Sequence, residues 1–239
     1  MRILLVSDIH ANWPALAAIE EPHDVCLFLG DLVDYGCDPA PCIDWVRRRA
    51  TQAIRGNHDH GAAQDVAVSG GVGFKYLTEA TRPVTRARLG ADDLRFLGQL
   101  PVTRSVTLDR RRFLLVHATP RDPLDEFAPA DPEFWAHRLV GVRADVVCVG
   151  HTHQPYAFAI DGTLVVNPGS VGLPRDGDPR AGYAIIDGAD VELKRVEYPV
   201  EEAVRSVENS PLPDRAKEML AVVYRTGALP PLKTNGQPG

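Results

Sequence analysis

The 239-residue sequence has no uninterrupted apolar run near the roughly 18 residues that a bilayer-spanning helix needs, so no membrane span is expected. It also lacks a signal-peptide cleavage pattern. Met-Arg-Ile-Leu-Leu-Val-Ser-Asp runs at once into a patterned strand, and the cytoplasm is the expected compartment. Cysteine is scarce, limited to Cys26, Cys37, Cys42 and Cys148. Four could form two disulfides, but cytoplasmic thiols are normally reduced. Cys26 and Cys148 sit in apolar runs and read as core residues. Cys37 and Cys42 flank a Pro-rich loop, without the second Cys or His pair that a zinc site wants. No Lys/Arg stripe with interleaved aromatics is present, and the net charge is −6. Those two absences argue against nucleic acid as a charge-driven partner. The run Arg110-Arg111-Arg112 reads as a solvated hairpin turn. There is no internal repeat and no interior linker.

The remainder is ordinary globular material, with 44% hydrophobic and 24% charged residues. One domain over residues 1–227 is expected, with 61–100 as a mainly helical lateral or cap region. Residues 228–239, rich in Pro and Gly, read as a disordered tail. Oligomeric state has no signal in the sequence. Arg2–Val6, Val25–Leu29 and Thr51–Arg55 are strand-like runs, alternating with helices at Asn12-capped Pro14–Ile19 and at Pro41–Ala50. That alternation predicts βαβ units and a largely parallel sheet. From Val102 onward strands dominate: Val102–Leu108, Arg112–Val116, Asp145–Val149, and two hairpins turning at Asp161-Gly162 and Asp187-Gly188. Helices are expected at Glu133–Val140, Val200–Glu208 and Pro213–Tyr224.

Five apolar runs stop abruptly in metal-type residues. They end in Asp8-Ile9-His10, Gly30-Asp31, Gly56-Asn57-His58-Asp59, His117 and Gly150-His151-Thr152-His153. Ligands of open α/β sheets gather beyond the carboxyl ends of strands, so five such ends can converge. Carboxylate with imidazole, and no thiolate, favours mid-sized divalent ions: Mn, Fe, Zn, Ni or Co. Asp8 with His10, and His151 with His153, are two apart and share a direction on extended backbone. Asp31 follows Gly30, where the chain can turn closely, and is placed to bridge two ions. A lone Asp or His at a strand end is usually a turn residue, and His23, His60 and His137 are read that way. Five together are not.

In this order these motifs resemble the calcineurin-like metallophosphoesterase signature, over residues 3 to about 198. The resemblance is nearest to a bacterial branch related to diadenosine tetraphosphatases and protein phosphatases. It is carried there by Ser7-Asp8-Ile9-His10-Ala11-Asn12, Gly30-Asp31-Leu32-Val33-Asp34-Tyr35-Gly36 and Asn167-Pro168-Gly169-Ser170-Val171-Gly172 with Pro174-Arg175-Asp176. The resemblance implies an α/β fold, a four-layer αββα sandwich of two mixed β-sheets with flanking helices. It implies two divalent ions, one on Asp8, His10 and His153, the other on Asn57, His117 and His151, with Asp31 bridging. His58 would touch the phosphate and protonate the leaving oxygen, and Asp59 would orient His58. The activity implied is a phosphoesterase using a two-metal-activated hydroxide, with a small phosphate ester or nucleotide as substrate.

The chain departs from the branch after His117, where Ala118-Thr119-Pro120 stands in place of Gly-Ser-Pro. It departs from Ser/Thr protein phosphatases at Tyr35, where those have Arg, and at Asp59, where they have Glu. Two divalent ions less two carboxylates and a hydroxide leave a charge of about +1, which suits a diester monoanion better than a monoester dianion. Arg55 and Arg175 are the substrate-binding candidates beside Asn57 and His58, and Arg180 shares the Arg175 loop. The alternatives are a phosphomonoesterase or protein phosphatase, a dinucleoside polyphosphate hydrolase, a nuclease, and a non-catalytic scaffold with this fold. A complete ligand set argues against the last.

Overall fold

The computed structural model describes residues 1–230. Elements in chain order are β1 (Arg2–Val6), α1 (Trp13–Ala17), β2 (Val25–Phe28), α2 (Pro39–Arg49), β3 (Gln52–Ala53), α3 (Asn57–Gln64), α4 (Gly73–Arg88) and α5 (Ala91–Gln99). There follow β4 (Thr103–Leu108), β5 (Arg111–Val116), α6 (Pro132–Arg138), β6 (Val146–Cys148), β7 (Pro155–Ile160) and β8 (Thr163–Pro168). The described chain closes with β9 (Ala181–Asp187), β10 (Asp190–Val196), α7 (Val200–Glu208) and α8 (Asp214–Thr226).

The strands form two mixed five-stranded sheets, ordered β10-β9-β1-β2-β3 and β4-β5-β6-β8-β7. In the first, β1, β2 and β3 run parallel as the alternation predicts, and the β9–β10 hairpin joins antiparallel to β1. Side-chain alternation builds the layers. Ile3 and Leu5 of β1 point to the second sheet, where they pack with Phe113, Leu115, Val146, Cys148 and Val166. Leu4 and Val6 point the other way, into a core shared with α1, α2, α7 and α8. On the far face of the second sheet, Val116, Val147, Val149 and Val165 pack under Trp135 of α6. This is the four-layer αββα arrangement, with one outer layer much thinner than the other.

Most boundaries agree with the sequence reading to within two residues. The exceptions lie near the motifs. Only Gln52 and Ala53 of the expected Thr51–Arg55 strand pair with β2. Beyond them the chain leaves the sheet, and the Arg55 N–H donates to Pro101 O (3.0 Å). Gly-Asn-His-Asp is therefore not a strand end; Gly56 caps α3, and Asn57 to Asp59 form its first turn. The 61–100 region is helical as expected, supplied by α3, α4 and α5. All four cysteines are free and buried, and Cys42 lies in α2 and not in a loop. Of the expected tail, Leu229 packs on the core; residues 231–239 lie outside the described residues. No described helix is long and apolar enough to cross a membrane.

Candidate metal centre

The ends of β1, β2, β5 and β6 meet the N-terminus of α3 at one edge of the sandwich. Getting there strains the backbone. Asp8, His10, Asp31, Asp34, Tyr35, His151 and His153 all have positive φ, between 47° and 68°. Side-chain-bearing residues adopt that region at a cost, and it concentrates at functional sites. Gly30, at φ 100°, is needed outright, because a Cβ there would lie 2.5 Å from the Gly56 nitrogen.

Asp8, His10, Asp31 and His153 offer ligand atoms that all lie within 4.8 Å of one another, and so do Asp31, His117 and His151. The two groups share Asp31. Its Oδ2 is 3.2 Å from His117 Nε2 and 3.8 Å from His10 Nε2. Asp8 Oδ1 is 3.3 Å from His153 Nε2. Three rings are fixed from behind by backbone. His10 Nδ1 sits on Val33 O (2.9 Å), His117 Nδ1 on Leu29 O (2.8 Å) and His153 Nδ1 on Leu173 O. An Nδ1–H held by a carbonyl leaves Nε2 with its lone pair facing inward, the tautomer a metal ligand needs. His151 is reversed: its Nε2 sits on Asp125 O (3.2 Å), which leaves Nδ1 for the cluster.

Several inward atoms make no hydrogen bond. Asp8 Oδ1, Asn57 Oδ1 and His117 Nε2 are buried without a hydrogen bond. Orphaned buried acceptors cost about 1–3 kcal/mol each, so they call for a cation. The donor set fits divalent metal. Burial pushes His10 down to about 3 and His151 to about 4, so these rings stay neutral. Burial acts the same way on His117, but the Asp31 and Asp8 carboxylates raise it to about 9, so a bound cation would have to displace its Nε2 proton. Burial also lifts Asp8, helped by the Asp31 charge, to about 6. Asp31 goes the other way: burial opposes ionisation, but the His117, His58 and His10 rings outweigh it and hold it well below the carboxylate range.

His58 is buried on α3, with its backbone N–H donating to Asp31 Oδ1 (2.9 Å). Its Nδ1 donates to Asp34 Oδ2 at 2.7 Å. Asp59 was expected to orient His58 and does not. The Asp59 carboxylate accepts the N–H groups of Asp31 (2.9 Å), Leu32 (2.8 Å) and Gly56 (3.0 Å). It clamps the Asp31 loop to the start of α3, because residue three of a helix naturally reaches back to its cap. Asp34 takes the orienting position. The sequence signal for it was the second Asp of Gly-Asp-Leu-Val-Asp, three residues past Asp31. Burial opposes its charge, yet His58 and Arg82 keep its pKa lowered. Burial likewise opposes a proton on His58, but Tyr35, Asp31 and Asp34 together raise it to about 10.

A cleft of about 630 Å³ opens over the cluster, lined by Tyr35, Asn57, His58, Phe74, His151 and Arg175 among others. Arg55 is not among its walls. Its Nη1 donates to Gly98 O (3.0 Å) at the end of α5, so the expected phosphate contact is corrected to a structural tie. Arg175 does reach the cleft. Its guanidinium lies 3.8 Å over the Phe74 ring, and Nη2 donates to Tyr35 OH (3.3 Å). It has no carboxylate partner among the described residues, and its Nε is buried without a bond. Arg180 is paired with Asp178 instead (2.7 Å).

Residues 1–190 match the calcineurin-like phosphoesterase superfamily domain. A solved metallophosphoesterase from Sphaerobacter thermophilus shares 30% identity, with a TM-score of 0.79 over 93% of this chain and 99% of that one. The uncharacterized protein MJ0912 of Methanocaldococcus jannaschii is 29% identical over 251 residues, covering 91% of this chain and 96% of that protein. The phosphodiesterase YfcE of Escherichia coli is 26% identical over 197 residues, covering 78% of this chain and 88% of that protein.

Proposed function

The chain belongs to the calcineurin-like phosphoesterase superfamily, a metal-dependent family, and from that premise we propose that it hydrolyses small phosphodiesters or nucleotides with two divalent ions. The observation that carries the reading is the pair of ligand groups sharing one carboxylate, Asp31, with unpartnered acceptors turned inward. Asp8, His10 and His153 would hold one ion; Asn57, His117 and His151 would hold the other. When bound, the ions make water acidic enough to act as nucleophile at neutral pH and offset charge on the phosphoryl oxygens. Mn, Fe, Zn, Ni and Co all suit this donor set.

The protein's own residues do the rest. Asn57 and His58 face the cleft at the α3 N-terminus, where an anion is favoured by the helix dipole. With its pKa raised to about 10, His58 is an imidazolium that holds one proton on Nδ1 toward Asp34 and a second on Nε2, beside Tyr35 OH on the cleft side (3.5 Å). The Nε2 proton is the one it can give to the leaving oxygen. Elemental analysis of protein purified without chelator should give more than one equivalent of transition metal. A panel of bis-nitrophenyl phosphate, 2′,3′-cyclic nucleotides, diadenosine tetraphosphate and a phosphoserine peptide should then favour the diesters and nucleotides. Metal-free protein with undiminished hydrolysis would end the reading.

One observation favours the phosphomonoester alternative. Arg175 brings an unpaired positive charge into the cleft, and a dianionic phosphate would use it more than a monoanionic diester. Under that alternative, Arg175→Gln lowers kcat/KM for a phosphomonoester at least about tenfold more than for a diester, or about 1.4 kcal/mol. Equal losses on both leave the diester reading standing.

A further inference from the structure

Helix α4 has an unusual inward face. Thr78, Thr81, Arg82 and Thr85 stand at i, i+3, i+4 and i+7 and are all buried. Globular helices turn Leu or Val inward along such a stripe. Three of the four, Thr78, Thr81 and Arg82, find partners in one loop after β2, and Thr85 Oγ1 has none. Arg82 Nε is 3.0 Å from Asp34 Oδ1 and 2.9 Å from Oδ2, and its Nη2 is 2.6 Å from Oδ2. Thr81 Oγ1 accepts the Tyr35 N–H (3.1 Å), and Thr78 Oγ1 donates to Tyr35 OH (3.0 Å). Asp34 and Tyr35, like Asp31 earlier in that loop, have left-handed backbone, at φ 68° and 60°. The same Asp34 Oδ2 that Arg82 grips accepts from His58 Nδ1.

We propose that α4 is a positioning element, and that Arg82 aims the Asp34 carboxylate, and through it the His58 ring, at the leaving oxygen. The inference rests on the proton-donor role given to His58 above. A buried ion pair is a poor means of attaching a helix, because desolvating both charges offsets most of their attraction, and apolar side chains hold as well. What apolar contact cannot do is fix the direction of a carboxylate. The fork of Arg82 does so from two nitrogens. Space for the fork is provided on α3: a Cβ at Gly61 would lie 2.3 Å from Arg82 Nη1. Arg82 Nη1 also donates to Val66 O (3.2 Å), which ties the α3–α4 connection at the cleft wall to the same group.

The test is a double-mutant cycle on the full, metal-loaded chain, with Arg82→Gln, His58→Ala and the pair. The substrates are 2′,3′-cyclic AMP, whose alkoxide leaving group needs a proton, and bis-nitrophenyl phosphate, whose leaving group needs little. Arg82→Gln should lower kcat on the cyclic nucleotide about 10- to 100-fold, with KM nearly unchanged, and on the nitrophenyl ester less than about threefold. In the His58→Ala background it should add less than about twofold. Metal content should stay at the wild-type level in all three. A full additional loss on top of His58→Ala, or equal losses for both leaving groups, assigns Arg82 a merely structural role and overturns the proposal. If His58→Ala itself shows no leaving-group dependence, the proton-donor reading fails and takes this one with it. Arg82→Lys, which keeps charge and volume but not the fork, runs the same cycle if the Gln variant does not fold.

Discussion

Asp31 differs from the other carboxylates at the centre because both ligand groups need it. Its Oδ1 also accepts the His58 N–H and occupies the space of a Cβ at Gly56, which would lie 2.0 Å from it, so the carboxylate's place requires glycine there. Asp8 serves one group only. Asp31→Asn should therefore lower metal content at both positions, and Asp8→Asn at one. In activity, Asp31→Asn should fall at least about tenfold below Asp8→Asn. Elemental analysis beside kcat/KM on one diester checks this, and equal metal loss in the two variants would refute the shared role. The residues of the two candidate groups were legible in the sequence because Asp and His interrupt apolar runs at strand ends, whereas Asn57 stood in a motif that the structure places in the first turn of α3. Asp34 carried a signal as the second Asp of Gly-Asp-Leu-Val-Asp but no sign of its role, and Arg82 and Thr78 were not legible, because a residue that acts on another residue leaves no local pattern. Arg55 misled for the complementary reason: adjacency to Gly56 in sequence said nothing of its side chain, which turns to the end of α5.

Strands and hairpins were legible wherever apolar runs met Asp-Gly turns, as in β7–β8 and β9–β10. Their period-two burial then fixed which residues face the other sheet. The first turn of α3 was hidden because its cap is a glycine, which carries no side-chain signal, and its stabilising carboxylate, Asp59, was read as a site residue. Asp59 does serve the site, but through backbone: burial and the nearby Asp31 push it up to about 7, against the three N–H groups that favour its charge. Helix α4 was legible only as helix. Its buried stripe of Thr, Thr, Arg and Thr looks like a solvent face on any hydrophobicity scale. In the structure that polar side is the one turned to the centre.

Across the whole molecule, the centre sits on the seam between the sheets. Asp8 and Asp31 come from the ends of β1 and β2, and His117 and His151 from the ends of β5 and β6. Anything that loosens the first sheet thus reaches the ligands. Glu21 is one such tie, on the chain between α1 and β2, with its side chain only 11% exposed. It accepts from Lys194 Nζ of β10 (2.8 Å), from Tyr183 OH of β9 (2.9 Å), and from Arg2 of β1. One carboxylate thereby joins three neighbouring strands. The Lys194 hydrogen bond, against burial and with Arg2 and Tyr183, lowers its pKa from 4.5 to about 2. A folded pKa below the unfolded one means the ionised group stabilises the fold. That contribution is fully present above the unfolded value and is lost as pH falls through the folded one. Its window is therefore acidic, from about pH 5 down to about 2. Denaturant melts of the wild type and Glu21→Gln should differ by about 1–2 kcal/mol at pH 7, and the difference should shrink toward zero as pH approaches the folded pKa. Gln keeps an acceptor oxygen, so a difference that stays constant from pH 7 to the acid limit would mean that packing, and not the charge of Glu21, holds the three strands together.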